Sequence, residues 1–413
     1  MRALGAALKP RGARRFFIAH AQSSIGSGIA LVGLPLLAYD RFHTPWALTV
    51  VLLCELLPAV VLGPVLGAVA DRLPRRTCLV AADLLRLGAF AALAVVPSLG
   101  LMIAAALVAG IGTAMFNPSA LASLSQVSSA DYRPASMSLY AALDDVGLTL
   151  GPAIAGGLLI VVGPQTLMAV NACTYSISAA LLATIPLTTP IARHSSTLLA
   201  SLRSGAREIA ARPSVRLLLA SSTGAVIAVG MVNVGEVMLA RELLGVGGSG
   251  LAALMTASGV GTFLGSTFGA RTGTTWQWRK AYTLGLVCMA ADLILCAVAP
   301  FFWVVLVTFA LGGFGNGMAL VHDRLLLAHS VPEALHGRLF ALHKTCTSGA
   351  FVLAFLSAGV LISTLGVQAM FLCAGLLLTV IILIVRPRLR ALWPEPVGEP
   401  GPPALPLPVP EAT

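Results

Sequence analysis

The sequence predicts an all-α integral membrane protein: twelve transmembrane helices in two six-helix halves, with both termini cytoplasmic. Three observations predict it. Hydrophobic residues make up 57% of the chain and charged residues 10%, with a mean hydropathy of +0.92, far outside the soluble balance. Apolar stretches recur along the whole length, and about 20 helical residues cross a hydrocarbon core of about 30 Å. Lysine and arginine concentrate in alternate loops, as they do on the cytoplasmic side of membrane proteins.

Taken in order, the apolar stretches place spans at 14–39, 46–70, 77–97, 99–123, 137–162 and 165–186. After a polar connection they resume at 214–240, 248–270, 280–299, 301–327, 337–363 and 366–385. Helices are the expected spanning form, because no water satisfies peptide groups at that depth. The organisation is a cytoplasmic N-terminus (1–13), a first bundle (14–186), a central loop (187–213), a second bundle (214–385) and a tail (386–413). The first stretch runs past signal-peptide length without a cleavage site, so it is a retained span. The central loop carries Leu198, Leu199, Leu202 and Ile209 near helical spacing, which suits a membrane-surface segment. The tail is too rich in proline to bury a core and is expected to be disordered.

With the N-terminus inside, all but five of the 26 basic residues fall on the cytoplasmic side. Arg41 and Arg241 fall on the other side, and Arg86, Arg324 and Lys344 lie inside spans. Charge spread over alternate loops argues against nucleic acid as a partner. The seven cysteines show no CxxC pattern or accompanying histidine pair, so neither a metal nor a cofactor is implied. No GxxxxGK[ST] sequence is present, so this chain does not itself draw on ATP through a P-loop.

The halves echo each other. "GPVLGAVADR" and "AADLL" in the first correspond to "GTFLGSTFGAR" and "AADLI" in the second, and "AGIGTAM" (Ala109 to Met115) corresponds to "GGFGNGM" (Gly312 to Met318). A 6+6 duplication follows, with the halves related by an axis along the membrane normal.

These features resemble the major facilitator superfamily. "GAVADRLPRR" is similar to its loop 2–3 signature, matched by Gly67, Asp71, Arg72, Arg75 and Arg76, with Pro74 in place of a glycine. The second-half copy keeps Gly265 but has Gly269 where the aspartate would stand. "GLTLGPAIAGG" resembles the glycine-proline signature of the superfamily's exporters, through Gly147, Gly151, Pro152, Gly156 and Gly157. Finer stretches, "FNPSALASL" and "ALHGRLFAL" among them, are similar to the branch containing enterobactin-type siderophore exporters and macrolide efflux proteins. The resemblance implies alternating access and, at loop 2–3, a latch. Asp71 is unfavourably placed at the end of its own helix and would meet the start of span eleven, while the arginines would pair with acids such as Asp131 or Glu333.

Charges inside spans are functional candidates because they are costly unless paired or facing water. Asp144, Asp145, Glu236 and Asp292 are the proton-coupling candidates. Asp83 with Arg86, and Asp323 with Arg324 and Lys344, are candidates for gates or ion pairs; Asp292 echoes Asp83 and needs a partner such as Arg324 or Lys344. His20, Gln22, Asn117, Asn171, Tyr175, Asn233 and Asn316 are candidate cavity groups. The expected activity is efflux of a small amphiphilic molecule, a siderophore or drug, by proton antiport across the inner membrane, by a monomer. A proton-coupled importer or lysolipid flippase is the alternative within transport. An integral membrane transferase is the rival from another class, disfavoured because the loops hold arginines rather than acidic clusters.

Overall fold

The computed structural model describes residues 10–63, 66, 73–95, 98–129, 132–187, 212–299, 301–332 and 335–394. Gly67, Asp71, Arg72, Asp131, Glu333, most of the central loop and the tail from 395 lie outside the described residues.

The first half contains α1 (Arg11–Phe42), α2 (Pro45–Val61), α3 (Arg75–Val95), α4 (Leu99–Val127), α5 (Arg133–Leu158) and α6 (Pro164–Ala183). The second contains α7, α8 (Gly248–Gly269), α9 (Thr275–Val298), α10 (Phe302–His329), α11 (His336–Leu365) and α12 (Val367–Leu392). The α7 helix is irregular: Pro213–Gly230, then Val232–Met238, then a π turn at Leu239–Leu243. Ten of these helices are long and apolar enough to cross a membrane. The others are α2, shorter at 17 residues, and α5, whose mean hydropathy is lowered by Asp144 and Asp145.

Local chemistry sets the boundaries. Pro45, Pro164 and Pro213 open their helices, where the missing N–H costs nothing. Thr44 accepts from the Ala47 N–H at 3.3 Å, and Thr274 with Gln277 forms a capping box on α9. Gly366, at φ +85°, turns the chain from α11 straight into α12. In α3 the buried residues Cys78, Leu79, Ala82, Asp83, Arg86, Ala89, Phe90 and Leu93 trace one helical stripe.

The expected end of the last span at 385 is corrected: α12 runs on to Leu392, through Pro387. Its buried stripe continues from Ile382 and Val385 to Leu389, while Arg386, Arg388 and Arg390 fall off that stripe. Amphipathic spacing carries the helix past the apolar run.

Each half packs in the same way. The α1 helix lies against α5 and α6, α2 against α4, and α3 against α4 and α6; α7 lies against α11 and α12, α8 against α10, and α9 against α10 and α12. Between halves, α2 meets α11 and α5 meets α8. The glycines of the "AGIG" and "GGFG" stretches do equivalent work. Gly110 touches α2 at Glu55 and Pro58, as Gly313 touches α8 at Ser258; Gly112 touches α3 at Ala82 and Arg86, as Gly315 touches α9 at Gly285, Cys288 and Met289.

That register corrects one expected echo. Ala82 and Arg86 of α3 occupy the places of Gly285 and Met289 in α9, so Asp292 lies nearly two turns further along its helix than Asp83 does. Asp292 sits against Gly312 and accepts from the Cys296 thiol at 3.2 Å. Its neighbours are therefore on α9 and α10, and neither Arg324 nor Lys344, both exposed, is its recorded partner.

The outside of the bundle is apolar. Trp303, Leu383, Phe263 and Val307 are each more than 60% exposed, which suits lipid contact rather than water.

Candidate functional site

The halves join at one end. At the end where α1 finishes, Arg241 donates to Asp40 at 2.7 Å, and the Tyr39 hydroxyl donates to Glu242 at 2.7 Å. Beside these, Gly156 lies against Ala252, Gly248 against Leu36 and Leu159, and Gly359 against Thr49. One buried core cluster runs through both halves, including Leu36, Leu37, Val237, Met238 and Leu251. The core of the first half at the opposite end, around Phe16, Leu79, Phe116 and Leu124, is a separate cluster. These hydrogen bonds, this ion pair and these glycine contacts between the halves belong to the first of these ends.

This clamp was missed as a site by sequence reasoning. Its signal lay in "YDR" and "ARE": Arg41 and Arg241, the two basic residues assigned to the far side, stand beside acids at the ends of corresponding spans. The π turn in α7 sets Arg241 and Glu242 toward α1, a distortion often found at functional places.

Away from the clamp, halfway along α5, Asp144 reaches α1. It is 3.1 Å from His20 Nε2 and accepts from the Ser24 hydroxyl at 3.1 Å. His20 is buried and its ring stacks on Tyr140 at 3.8 Å, while the Asp144 side chain is 49% exposed. A half-exposed carboxylate midway along a membrane helix is stable where water reaches it. The pair therefore links the buried α1/α5 interface to open space. Asp145, exposed, lies within electrostatic range of Arg324 on the opposite half.

The glycine-proline stretch makes this approach possible. Gly147 packs on the Ser24 backbone and Gly151 on Gly28, leaving no room for side chains, whereas Gly156 faces the second half and Gly157 meets nothing within 4 Å. Gly151→Val is expected to cost about 1–3 kcal/mol by overpacking and to lower the melting temperature, while Gly157→Ala stays within about 0.5 kcal/mol of the parent. Thermal melts in detergent read both.

Asp83 and Arg86 form a buried ion pair one turn apart on α3. The guanidinium is sandwiched between the rings of Phe116, at 4.1 Å, and Tyr175, at 4.4 Å. All of these groups belong to the first half, so the pair locks α3 to α4 and α6. Asp83→Asn is expected to cost about 3–5 kcal/mol because it strands a buried cation; a thermal melt that matched the parent would remove the lock.

Other candidates fall elsewhere. Gln22 donates to the Thr174 carbonyl at 2.8 Å, Asn171 is fully buried beside Thr174 and Gly26, and buried Tyr175 is 3.0 Å from the Ser27 hydroxyl. These three stitch α1 to α6 rather than line open space. Asn117 is exposed on α4, and Asn233 and Asn316 are half-buried. Asp323 lies 2.9 Å from His343 Nε2 across α10 and α11, so its partner is a histidine and not Arg324 or Lys344. Glu236 is buried in α7 five residues before the clamp arginine. Both nitrogens of His322 are engaged, at 2.7 Å from the Met318 carbonyl and 2.9 Å from Thr272. Its ring fills the space over Gly269, which accounts for a glycine where the aspartate was absent. Arg75 donates to the Ala122 carbonyl near the end of α4 and Arg76 is exposed. Among the described residues no group of three or more histidine, cysteine or acidic side chains could hold a metal.

Residues 6–395 match the profile of the MFS_3 family, described as transmembrane secretion effectors. The chain belongs to this family of major facilitator transporters. Among its relatives, it is 26% identical over 385 residues to the uncharacterized MFS-type transporter YfiS of Bacillus subtilis (strain 168), covering 88% of this chain and 89% of YfiS. It is 26% identical over 390 residues to the multidrug efflux pump Tap of Mycolicibacterium fortuitum, covering 89% and 93%. Among solved structures, the nucleoside transporter NupG superposes with a TM-score of 0.72 at 13% identity, covering 92% of this chain and 98% of NupG. A bacterial homologue of the human lysosomal transporter Spinster, inward-facing and occupied, superposes with a TM-score of 0.72 at 13% identity, covering 91% of this chain and 96% of that one, a likeness of fold alone. This MFS_3 protein is thus a multi-pass membrane transporter.

Proposed function

We propose that this transporter exports a small amphiphilic molecule, a drug or siderophore, by proton antiport and alternating access. It works as a monomer in the inner membrane, with twelve spans and both termini cytoplasmic. In this orientation the clamped end is the periplasmic one and the conformation is inward-open. The observation that carries the reading is the His20–Asp144 pair, a titratable link between a buried helix interface and open space. The similarity to the efflux pump Tap and the resemblance of the Gly147–Gly157 stretch to exporters support the outward direction.

Proton entry from the periplasm protonates the pair, and release to the cytoplasm resets it, while the substrate moves the other way. The twelve-span count supports this topology because α2 and α5 occupy the places that α8 and α11 occupy in the second half. The test is transport of a cationic dye into inverted membrane vesicles. Accumulation driven by an inward-acid gradient, and abolished by a protonophore, is the expected result. Accumulation that persists after the gradient collapses would sink the antiport reading.

A further inference from the structure

We propose that the groove between α9 and α12 is a binding site for an anionic phospholipid headgroup. Arg279 and Lys280 of α9 and Arg386 and Arg390 of α12 line a groove of about 270 Å³. Lys280 rests 4.6 Å over the Trp276 ring, an amphipathic residue suited to the headgroup level. Leu284 and Val287, exposed on α9, continue the groove into the apolar belt.

The occupant follows from this two-part shape. The exposed Arg386 and Arg390 at the end of α12, beside the cations of α9, offer charge-assisted hydrogen bonds to a phosphodiester. The apolar floor runs in the direction an acyl chain takes, which a free inorganic anion leaves unused. The structure of this region also answers the length of α12, because only a helix continuing past 385 brings Arg386 and Arg390 alongside α9. The inference rests on the membrane placement and not on the export reading, so each can fail without the other.

The test is native mass spectrometry of the full-length protein offered equal phosphatidylglycerol and phosphatidylcholine. Phosphatidylglycerol is expected to be retained in preference, and the double variant Arg386→Gln, Arg390→Gln should lower that preference on the order of tenfold. Arg386→Lys with Arg390→Lys should keep most of it, which separates lost charge from a lost fold. Arg11→Gln with Arg15→Gln, removing as much charge elsewhere, should leave it unchanged. Equal retention of the two lipids in the parent overturns the proposal. So does a glutamine pair that keeps the preference, or displacement of the lipid by millimolar inorganic phosphate.

Discussion

Asp144→Asn vesicles are expected to bind substrate but to lose its accumulation against a gradient. One proton moved through about 100 mV supplies about 2.3 kcal/mol, enough to sustain an about 50-fold substrate gradient. A variant that no longer exchanges that proton therefore falls from this ratio toward equality. His20→Gln should act in the same direction, because glutamine keeps a hydrogen bond across α1 and α5 without titrating. Parent transport should vary with pH, and the dependence should flatten in both variants. Counterflow with labelled substrate, which requires binding and exchange but no net proton movement, should survive in Asp144→Asn. Asp144→Asn accumulation with an unaltered pH profile would move the coupling role elsewhere.

The second large effect concerns the clamp. Gly156 and Ala252 face each other across the halves, with a Cβ built on Gly156 lying 2.9 Å from the Ala252 Cβ. A disulfide needs about 3.5–4.5 Å between these atoms, so Gly156→Cys with Ala252→Cys should cross-link on oxidation after a small parting of α5 and α8. The native cysteines, free in the structure, are first replaced by serine. Oxidation is then expected to reduce transport to background and a thiol reductant to restore it, since alternating access requires the halves to part here. Full transport by the oxidised, cross-linked protein would show that this end stays closed throughout the cycle.

Much of the fold was legible because a bilayer imposes simple demands. Span positions followed from apolar runs, and the start of α6 or α8 falls within a residue of its expected place because proline or glycine marks the boundary. The duplication was legible in the glycines of α4 and α10, whose contacts with their neighbouring helices match in detail. Where local similarity stood without a packing partner it misled: "AAD" recurs in α3 and α9, yet Asp83 and Asp292 sit nearly two turns apart in the common register.

The site was legible in residue types more than in pairings. Asp144 and His20 were both singled out, but as members of different groups, since 124 positions separate them and no pattern along the chain shows that α1 and α5 touch. Asp40 and Glu242 were passed over because they flank loops, where a charge needs no explanation. Only the π turn, invisible in hydropathy, makes them a clamp. Asn171 and Tyr175 show the converse, polar groups in spans that the packing turns inward as ties between helices.

By itself, the sequence determined that this chain lives in a membrane, where its apolar runs lie, and which charges had to be accounted for. Those are properties of short segments in a fixed solvent, and hydrophobic burial acts on them locally. Only the tertiary structure decided which charge meets which: His20 with Asp144, Asp40 with Arg241, Asp323 with His343, and four basic side chains around one groove. Such pairings depend on the register of helices packed through small residues far apart in the chain, and a shift of one turn exchanges one partner for another.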